Sequence, residues 1–239
     1  MKWLRLFALA AGACLAGALG RAGEIHDAAR AGDCDRITAL LELNPQLVQA
    51  RDASGLTPLH CAAARGQGAA VELLLARQAE ANARDNTGST PLHHAAYFSG
   101  REPLEANPYL AGPALEKVRA EYQRQVEVVR LLLAHQADAQ ARDDAGDSPL
   151  LWAAMRGNAA IVELLLEHGA AIDAPDDAHR ATPLHMAVRG GHRAVTELLL
   201  ARGADVKVRD KEGKTPLGWA VAENRKELAE LLRQHGAVE

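Results

Sequence analysis

The chain of 239 residues has few aromatic side chains, few cysteines and no excess of basic residues. Phe, Trp and Tyr make up only 3% of it, which disfavours a β-sandwich, because β-strands are enriched in aromatic side chains. The 27 Lys and Arg residues are outnumbered by 31 Asp and Glu residues, so the composition does not favour binding to nucleic-acid phosphates. Hydrophobic residues still make up 48%, with Ala and Leu prominent, which indicates a core of slender, closely packed helices.

Sequence patterns typical of catalytic and metal centres are also missing. The chain contains no H-E-x-x-H, C-x-x-C or G-x-S-x-G pattern. Gly213-Lys214-Thr215 matches the end of a phosphate-binding loop, but Val208 stands where that loop needs its first glycine. His93 and His94 are adjacent, so on a helix their side chains diverge by about 100° and cannot form one metal-binding face. We therefore expect a protein that is not an enzyme and needs no metal or cofactor.

The N-terminal segment has the features of a secretory signal peptide. Lys2 and Arg5 give it a positive start, and residues 6–19 then run without a charge. This run has the length of a signal-peptide apolar region and is too short to span a bilayer comfortably. Ala18 and Gly20 are the small residues expected before a cleavage site, so we expect cleavage after Gly20.

An alternative interpretation of the same segment is lipidation at Cys14. Residues 11–14 loosely resemble a bacterial lipobox, although Ala11 stands where that motif prefers Leu. With residues 1–20 removed as a signal peptide, residues 21–239 form an exported domain, most simply in a bacterial periplasm. With Cys14 lipidated, the domain is instead anchored to the envelope, and only then do we expect a membrane contact.

Two cysteines remain after such a cleavage, Cys34 and Cys61. An exported protein meets an oxidising compartment in which two thiols can pair. Cysteine is also an ordinary small residue of protein interiors. We expect two free thiols, and a disulfide bond is the alternative.

The strongest pattern in the chain is an internal repeat of about 33 residues. The tetrapeptide Thr-Pro-Leu-His or a variant of it begins at Thr57, Thr90, Ser148, Thr182 and Thr215, at intervals of 33, 58, 34 and 33 residues. A Leu-rich run follows each start at a constant distance, except that the run after Thr90 is delayed by 25 residues. These residues resemble the ankyrin repeat, whose T-P-L-H-x-A motif and 33-residue period they share.

The resemblance implies an all-α solenoid of about six helix–turn–helix repeats with short hairpin-like loops, extending over residues 21–239. Thr or Ser should cap the first helix of a repeat, and Pro should occupy its first position. Gln78 and Gln136 replace the glycine that ends the second helix elsewhere, so we expect them in a left-handed conformation. Leu151 and Gly218 replace the His, and those two repeats should lose the backbone hydrogen bond that this His makes in the family.

Residues 100–124 form an insertion in the third repeat. Pro103 and Pro108 make its first part too rich in proline for regular structure. From Pro113 onwards the sequence predicts one long helix, which extends the usual second helix backwards by about three turns. Insertions of this length are often binding elements, and a spacer or stabilising flap is the alternative.

The resemblance also implies that a partner contacts the loop tips and the inner face of the first helices. The two positions after each buried Ala pair map onto that face, and several hold Arg, Tyr, Phe or Met, which are typical of interface hot spots. An ordinary solvated face is the alternative interpretation. The candidate partner-binding residues, with one from the insertion, are Arg30, Arg65, Tyr97, Phe98, Tyr109, Met155, Arg156 and Arg189.

Arg65 and Arg156 flank Tyr97 and Phe98, which predicts an apolar contact ringed by positive charge and hence a protein partner with an acidic rim. The expected function is that of a binding module in the cell envelope. It would clasp a secreted or periplasmic protein, such as an enzyme, and restrain or deliver it. The alternative is a stress-protection or envelope-assembly scaffold with several partners.

The first testable prediction concerns export. Because small residues precede the expected cleavage site, the mature N-terminus should lie near Arg21 and the protein should fractionate outside the cytoplasm. Cell fractionation followed by intact mass measurement checks both points. Recovery from the cytosol of a chain that still begins at Met1 would contradict the prediction.

Overall fold

The repeating unit starts where a Thr or Ser caps a short helix that begins with Pro. The computed structural model describes residues 23–97 and 112–238. In the second repeat, the backbone N–H of Thr57 donates to Nδ1 of His60 at 3.0 Å, and the Thr57 side chain accepts from the backbone of the same residue. The same reciprocal capping occurs at Thr90 and Thr182. Local sequence therefore fixes the start of each first helix.

The helices of the described residues form six pairs, and no strand occurs among these residues. The first helices are α1 (residues 23–31), α3 (Pro58–Ala64), α5 (Pro91–Ala96), α7 (Pro149–Arg156), α9 (Pro183–Gly190) and α11 (Pro216–Ala222). The second helices are α2 (Cys34–Leu43), α4 (Gly68–Ala76), α6 (Pro113–Ala134), α8 (Ala159–Glu167), α10 (Arg193–Ala201) and α12 (Lys226–Gln234), and a 3₁₀ helix (Pro45–Gln49) follows α2. Consecutive first helices pack side by side, so the expectation of an all-α solenoid is confirmed.

The core is continuous from the first repeat to the last. Pairs of fully buried alanines, such as Ala62-Ala63 and Ala153-Ala154, let neighbouring first helices approach closely. Each second helix adds at least one fully or almost fully buried apolar side chain, for example Leu74 and Leu165. No repeat could bury this apolar face alone, so the repeats are stable only as a stack.

A histidine side chain links most repeats to the next one. His60 accepts at Nδ1, so its proton is on Nε2, which donates to the backbone oxygen of Ser89 at 3.1 Å. His93 and His185 make the same bond, to Asp147 and Lys214. At the equivalent position Leu151 packs instead in a small apolar cluster, as the sequence predicts for a repeat without this His.

A second series of links starts at the beginning of the second helices. The side chain there donates to a carbonyl at the end of the preceding first helix, as Gln67 does to Arg30 and Asn158 to Ala96. Gln125 occupies this place in the third repeat and donates to the carbonyls of both Ala63 and Ala95, at 2.8 and 2.9 Å. The standard second helix therefore begins near Gln125, and the residues of α6 before it are additional.

The predicted long helix is confirmed, because α6 runs over Pro113–Ala134. Tyr122 anchors its additional turns. Its ring is 3% exposed, and its hydroxyl accepts from the backbone N–H of Ala160 near the start of α8 at 3.2 Å. The additional turns therefore pack across the fourth repeat.

Two arginines that precede loop aspartates, Arg84 before Asp85 and Arg142 before Asp143, tie neighbouring loops together. Arg84 donates to the backbone oxygen of Arg142 at 2.9 Å, and Arg142 donates to that of Pro175 at 2.7 Å. Each guanidinium also pairs with an aspartate of the next loop, Asp144 and Asp177 respectively. These arginines hold adjacent loops together and are already engaged within the chain.

The left-handed positions follow the sequence prediction. Gln78 and Gln136 have φ values of 66° and 62°, in the region where an L side chain costs on the order of 1 kcal/mol. Arg180 and Asn224 also adopt this conformation, with φ of 56° and 55°. Arg180 lies in the longer loop without glycine before Thr182, so a non-glycine residue makes that turn.

Cys34 and Cys61 are free thiols, as expected from the sequence. Burial raises the pKa of the Cys61 thiol to about 11, which leaves it protonated and unreactive near neutral pH. The predicted signal peptide with Cys14 and the predicted insertion loop with Pro103 and Pro108 lie outside the described residues. Among the described helices, none combines the length and apolar character needed to cross a bilayer.

The second prediction concerns the left-handed glutamines. Replacing Gln78 or Gln136 by Gly relieves the steric cost of φ > 0, partly offset by the greater freedom of glycine in the unfolded chain. Each variant should gain a few tenths to about 1 kcal/mol of unfolding free energy in urea titrations. A lower midpoint in both variants would contradict the prediction.

The third prediction concerns pH. Burial lowers the pKa of His60 to about 4 and also lowers those of His93 and His185. Below about pH 6.5 these histidines become protonated in the unfolded chain but stay neutral in the folded chain. The free energy of unfolding should therefore fall as pH drops from about 6.5 to about 4. His60 alone should account for on the order of 3 kcal/mol.

Chemical denaturation between pH 4 and pH 7 measures this slope. His60→Leu, which copies the natural residue at position 151, should be less stable at pH 7 but lose less stability on acidification. Carboxylates with a lowered pKa, such as Asp85 with a pKa of about 2, lose their contribution to stability only at still lower pH. A pH-independent unfolding free energy over this range would refute the assignment.

Candidate partner-binding surface

An aromatic cluster lies on the inner face where α5 and α7 meet. The ring centroid of Trp152 is 5.0 Å from that of Tyr97 and 6.3 Å from that of His94, both in edge-to-face arrangements. The indole N–H donates to Asp147 at 3.1 Å, which fixes the orientation of the ring. Tyr97 is 44% exposed, whereas most large apolar side chains of the described residues are covered. The cluster thus offers a rigid aromatic surface to a partner.

Arg156 places a positive charge on this cluster. Its guanidinium carbon lies 4.6 Å from the centre of the Tyr97 ring, a cation–π contact. Arg156 forms no ion pair with a carboxylate of the described residues. The structure therefore brings the predicted residues Tyr97 and Arg156 together from neighbouring repeats, and the charge is available to an incoming acidic group.

Met155 completes the surface from α7 and is half-buried. It packs on a small apolar cluster of Leu151, Ala181 and Met186, which joins α7 to α9. Part of the Met155 side chain thus belongs to the core between repeats, and Trp152 packs against the same cluster. Methionine is a flexible side chain that adapts to partners of different shape.

A second aromatic contact lies nearer the C-terminal end. Arg189 lies over Trp219 with its guanidinium carbon 5.5 Å from the ring centre. The Trp219 indole N–H donates to Asp210 at 2.6 Å, and a cleft of about 210 Å³ opens beside these three residues. The aromatic neighbour of the predicted residue Arg189 is therefore Trp219.

The predicted arginines of the first two repeats differ in their surroundings. Arg30 pairs with Asp27 at 2.7 Å and with Asp52 at 3.3 Å, so its charge is neutralised within the chain. Arg65 follows α3, is exposed and forms no ion pair within the described residues. Phe98 and Tyr109, the remaining predicted residues, lie outside the described part of the chain.

Three further aromatic side chains on this surface, Trp152, Trp219 and His94, are not among the residues predicted from the sequence. Each of them comes three residues before one of the positions that the sequence predicts on the inner face. Residues three apart lie on the same face of a helix. That spacing is the signal that would have identified them. Trp152 precedes Met155 and His94 precedes Tyr97 in this way.

One cluster has the composition of a metal site. Ligand atoms of His60, Asp85 and His94 lie within 4.8 Å of one another. Both ring nitrogens of His60 already bond to backbone groups, and Nε2 of His94 lies 2.8 Å from the Asp85 carboxylate. Burial raises the pKa of Asp85, but hydrogen bonds from His94 and from the turn backbone outweigh it and lower the pKa to about 2. A metal ion would have to displace these hydrogen bonds, so the cluster fits a structural role better.

These features define a class of protein, the all-helical repeat solenoid. Hydrogen bonds and apolar contacts join its repeats, and its inner face carries aromatic and positively charged side chains. A family model described as ankyrin repeats in three copies matches residues 25–111, 118–210 and 176–238. The chain therefore belongs to the ankyrin-repeat family, whose members are generally protein-interaction modules and typically not enzymes. A comparison with curated proteins gives no match.

Proposed function

We propose that this protein binds another protein through the inner surface formed by Tyr97, Trp152, Met155 and Arg156. The observation that carries the proposal is the exposed Tyr97 ring, held between Trp152 at 5.0 Å and Arg156 at 4.6 Å. Tyr, Trp and Arg are the residues most enriched in interface hot spots. A side chain that is already ordered loses little freedom on binding, so this surface is preorganised.

The charges of the inner face support a partner with an acidic rim. Arg65, Arg156 and Arg189 form no ion pairs with carboxylates of the described residues, although the whole chain has a net charge of −4. Arg156 and Arg189 lie instead on aromatic rings. A partner carboxylate near these rings would gain a charge-assisted hydrogen bond.

The proposed setting is the cell envelope. The support is the N-terminal sequence, in which Lys2 and Arg5 precede the apolar residues 6–19. There the protein would clasp a secreted or periplasmic protein and restrain or deliver it. Affinity isolation of the mature chain from an envelope fraction tests this role. One stoichiometric partner supports it, whereas a heterogeneous set supports an envelope-assembly or stress-protection scaffold.

The fourth prediction concerns the binding surface. Tyr97→Ala removes the exposed ring and the support for Arg156, and Arg156→Glu reverses the charge. Each should weaken binding of the isolated partner by roughly 1–4 kcal/mol, measured by calorimetry, with little change in thermal stability. The Arg156 variant should also associate more slowly, and the native association rate should fall with added salt.

Arg77→Glu is the matched control. Arg77 is exposed at the end of α4, a second helix, and forms no ion pair within the described residues. Arg202 would be a poorer choice, because it pairs with Glu163 at 2.6 Å. Arg77→Glu should bind the partner as the native chain does. If Tyr97→Ala unfolds the protein while binding by the folded fraction persists, the contact surface lies elsewhere.

A further inference from the structure

The long helix α6 brings an additional arginine to the inner face. Gln125 donates to the carbonyls of Ala63 and Ala95 at once, so α6 crosses the ends of α3 and α5 at this point. A Cβ atom built on Gly66 would lie 3.6 Å from Cβ of Arg124. Arg124 therefore lies directly against the turn that follows α3.

Arg65 immediately precedes that turn, so Arg65 and Arg124 flank Gly66 from two different repeats. Both side chains are exposed, and neither forms an ion pair with a carboxylate of the described residues. Other arginines of α6 are paired: Arg119 with Glu116 and Arg130 with Glu127. Two neighbouring arginines without a counter-charge repel each other, so an anionic group placed between them would be stabilised.

Resting on the proposed function, we propose that Arg65 and Arg124 form a carboxylate-binding clamp for an acidic segment of the partner that continues to Tyr97. The guanidinium group presents paired N–H donors that match a carboxylate. Adjacent first helices pack about 8–10 Å apart, and an extended peptide spans this distance with about three residues. One short segment can therefore place acidic side chains at the clamp and an apolar one at Tyr97.

This assignment gives the additional turns of α6 a binding role. Arg124 is the last residue before Gln125, where the standard second helix begins. The buried ring of Tyr122, two residues earlier, holds this part of α6 against α8. The clamp is thus supported by packing on one side and open to solvent on the other.

The test uses the mature chain and a defined probe. The probe is a blocked, fluorescein-labelled peptide of four glutamates and one phenylalanine, and its binding is followed by fluorescence anisotropy. Arg124→Gln and Arg65→Gln should each weaken binding about tenfold, because each removes a charge-assisted hydrogen bond. Arg77→Gln, at the exposed arginine without an ion pair that follows α4, should bind as the native chain does. The corresponding glutamine peptide should bind far more weakly, and added salt should weaken the glutamate peptide.

Three results would overturn the clamp: no binding of the glutamate peptide, unchanged binding by Arg124→Gln, or equally tight binding of a single-stranded oligonucleotide of the same charge. Circular dichroism melts confirm that the exposed substitutions leave the fold intact. If Arg124→Gln has no effect but Tyr97→Ala still reduces binding of the isolated partner, the clamp alone is wrong. If neither variant reduces binding of that partner, the proposed function fails as well.

Discussion

Each helix pair of this protein has an apolar face that only the next pair can cover. The buried alanine pairs allow close approach, and the leucines of the second helices fill the space behind them. Side-chain hydrogen bonds then fix the angle between neighbours, as those of His60 and Gln67 do. Because stability comes from these repeated contacts, the side chains fully buried in them are unavailable for binding.

What remains free is the inner face of the first helices. The same three-residue spacing that exposes Tyr97 also aligns His94 behind it, and Trp152 meets both from the next repeat. The stack thus presents side chains from separate repeats close to one another, on the first helices or directly after them. The long helix α6 adds to this face from outside the regular pattern, because Gln125 holds it against two first helices at once.

Local features of the fold could be predicted from the sequence, whereas contacts between repeats could not. The capping of Thr57, the left-handed Gln78 and the start of α6 at Pro113 depend on residues close in the chain, and all three are confirmed. The neutralisation of Arg30 by Asp52 and the approach of Arg124 to Gly66 depend on how tightly repeats pack. A repeat period places residues on a face but does not give the distances across it.

The replacement of His by Leu151 changes the kind of contact between the fourth and fifth repeats. The junction between the fourth and fifth repeats keeps the bonds from His192 to Met155 and from Arg142 to Pro175. It lacks the bond that a first-helix histidine, such as His60 or His185, donates to the next repeat elsewhere. A hydrogen bond requires alignment of its donor and acceptor, whereas the free energy of apolar burial is non-directional. Apolar packing of Leu151 with Ala181 and Met186 takes the place of that bond at this junction. The two aromatic contacts of the inner face, at Trp152 and at Trp219, lie on opposite sides of this junction.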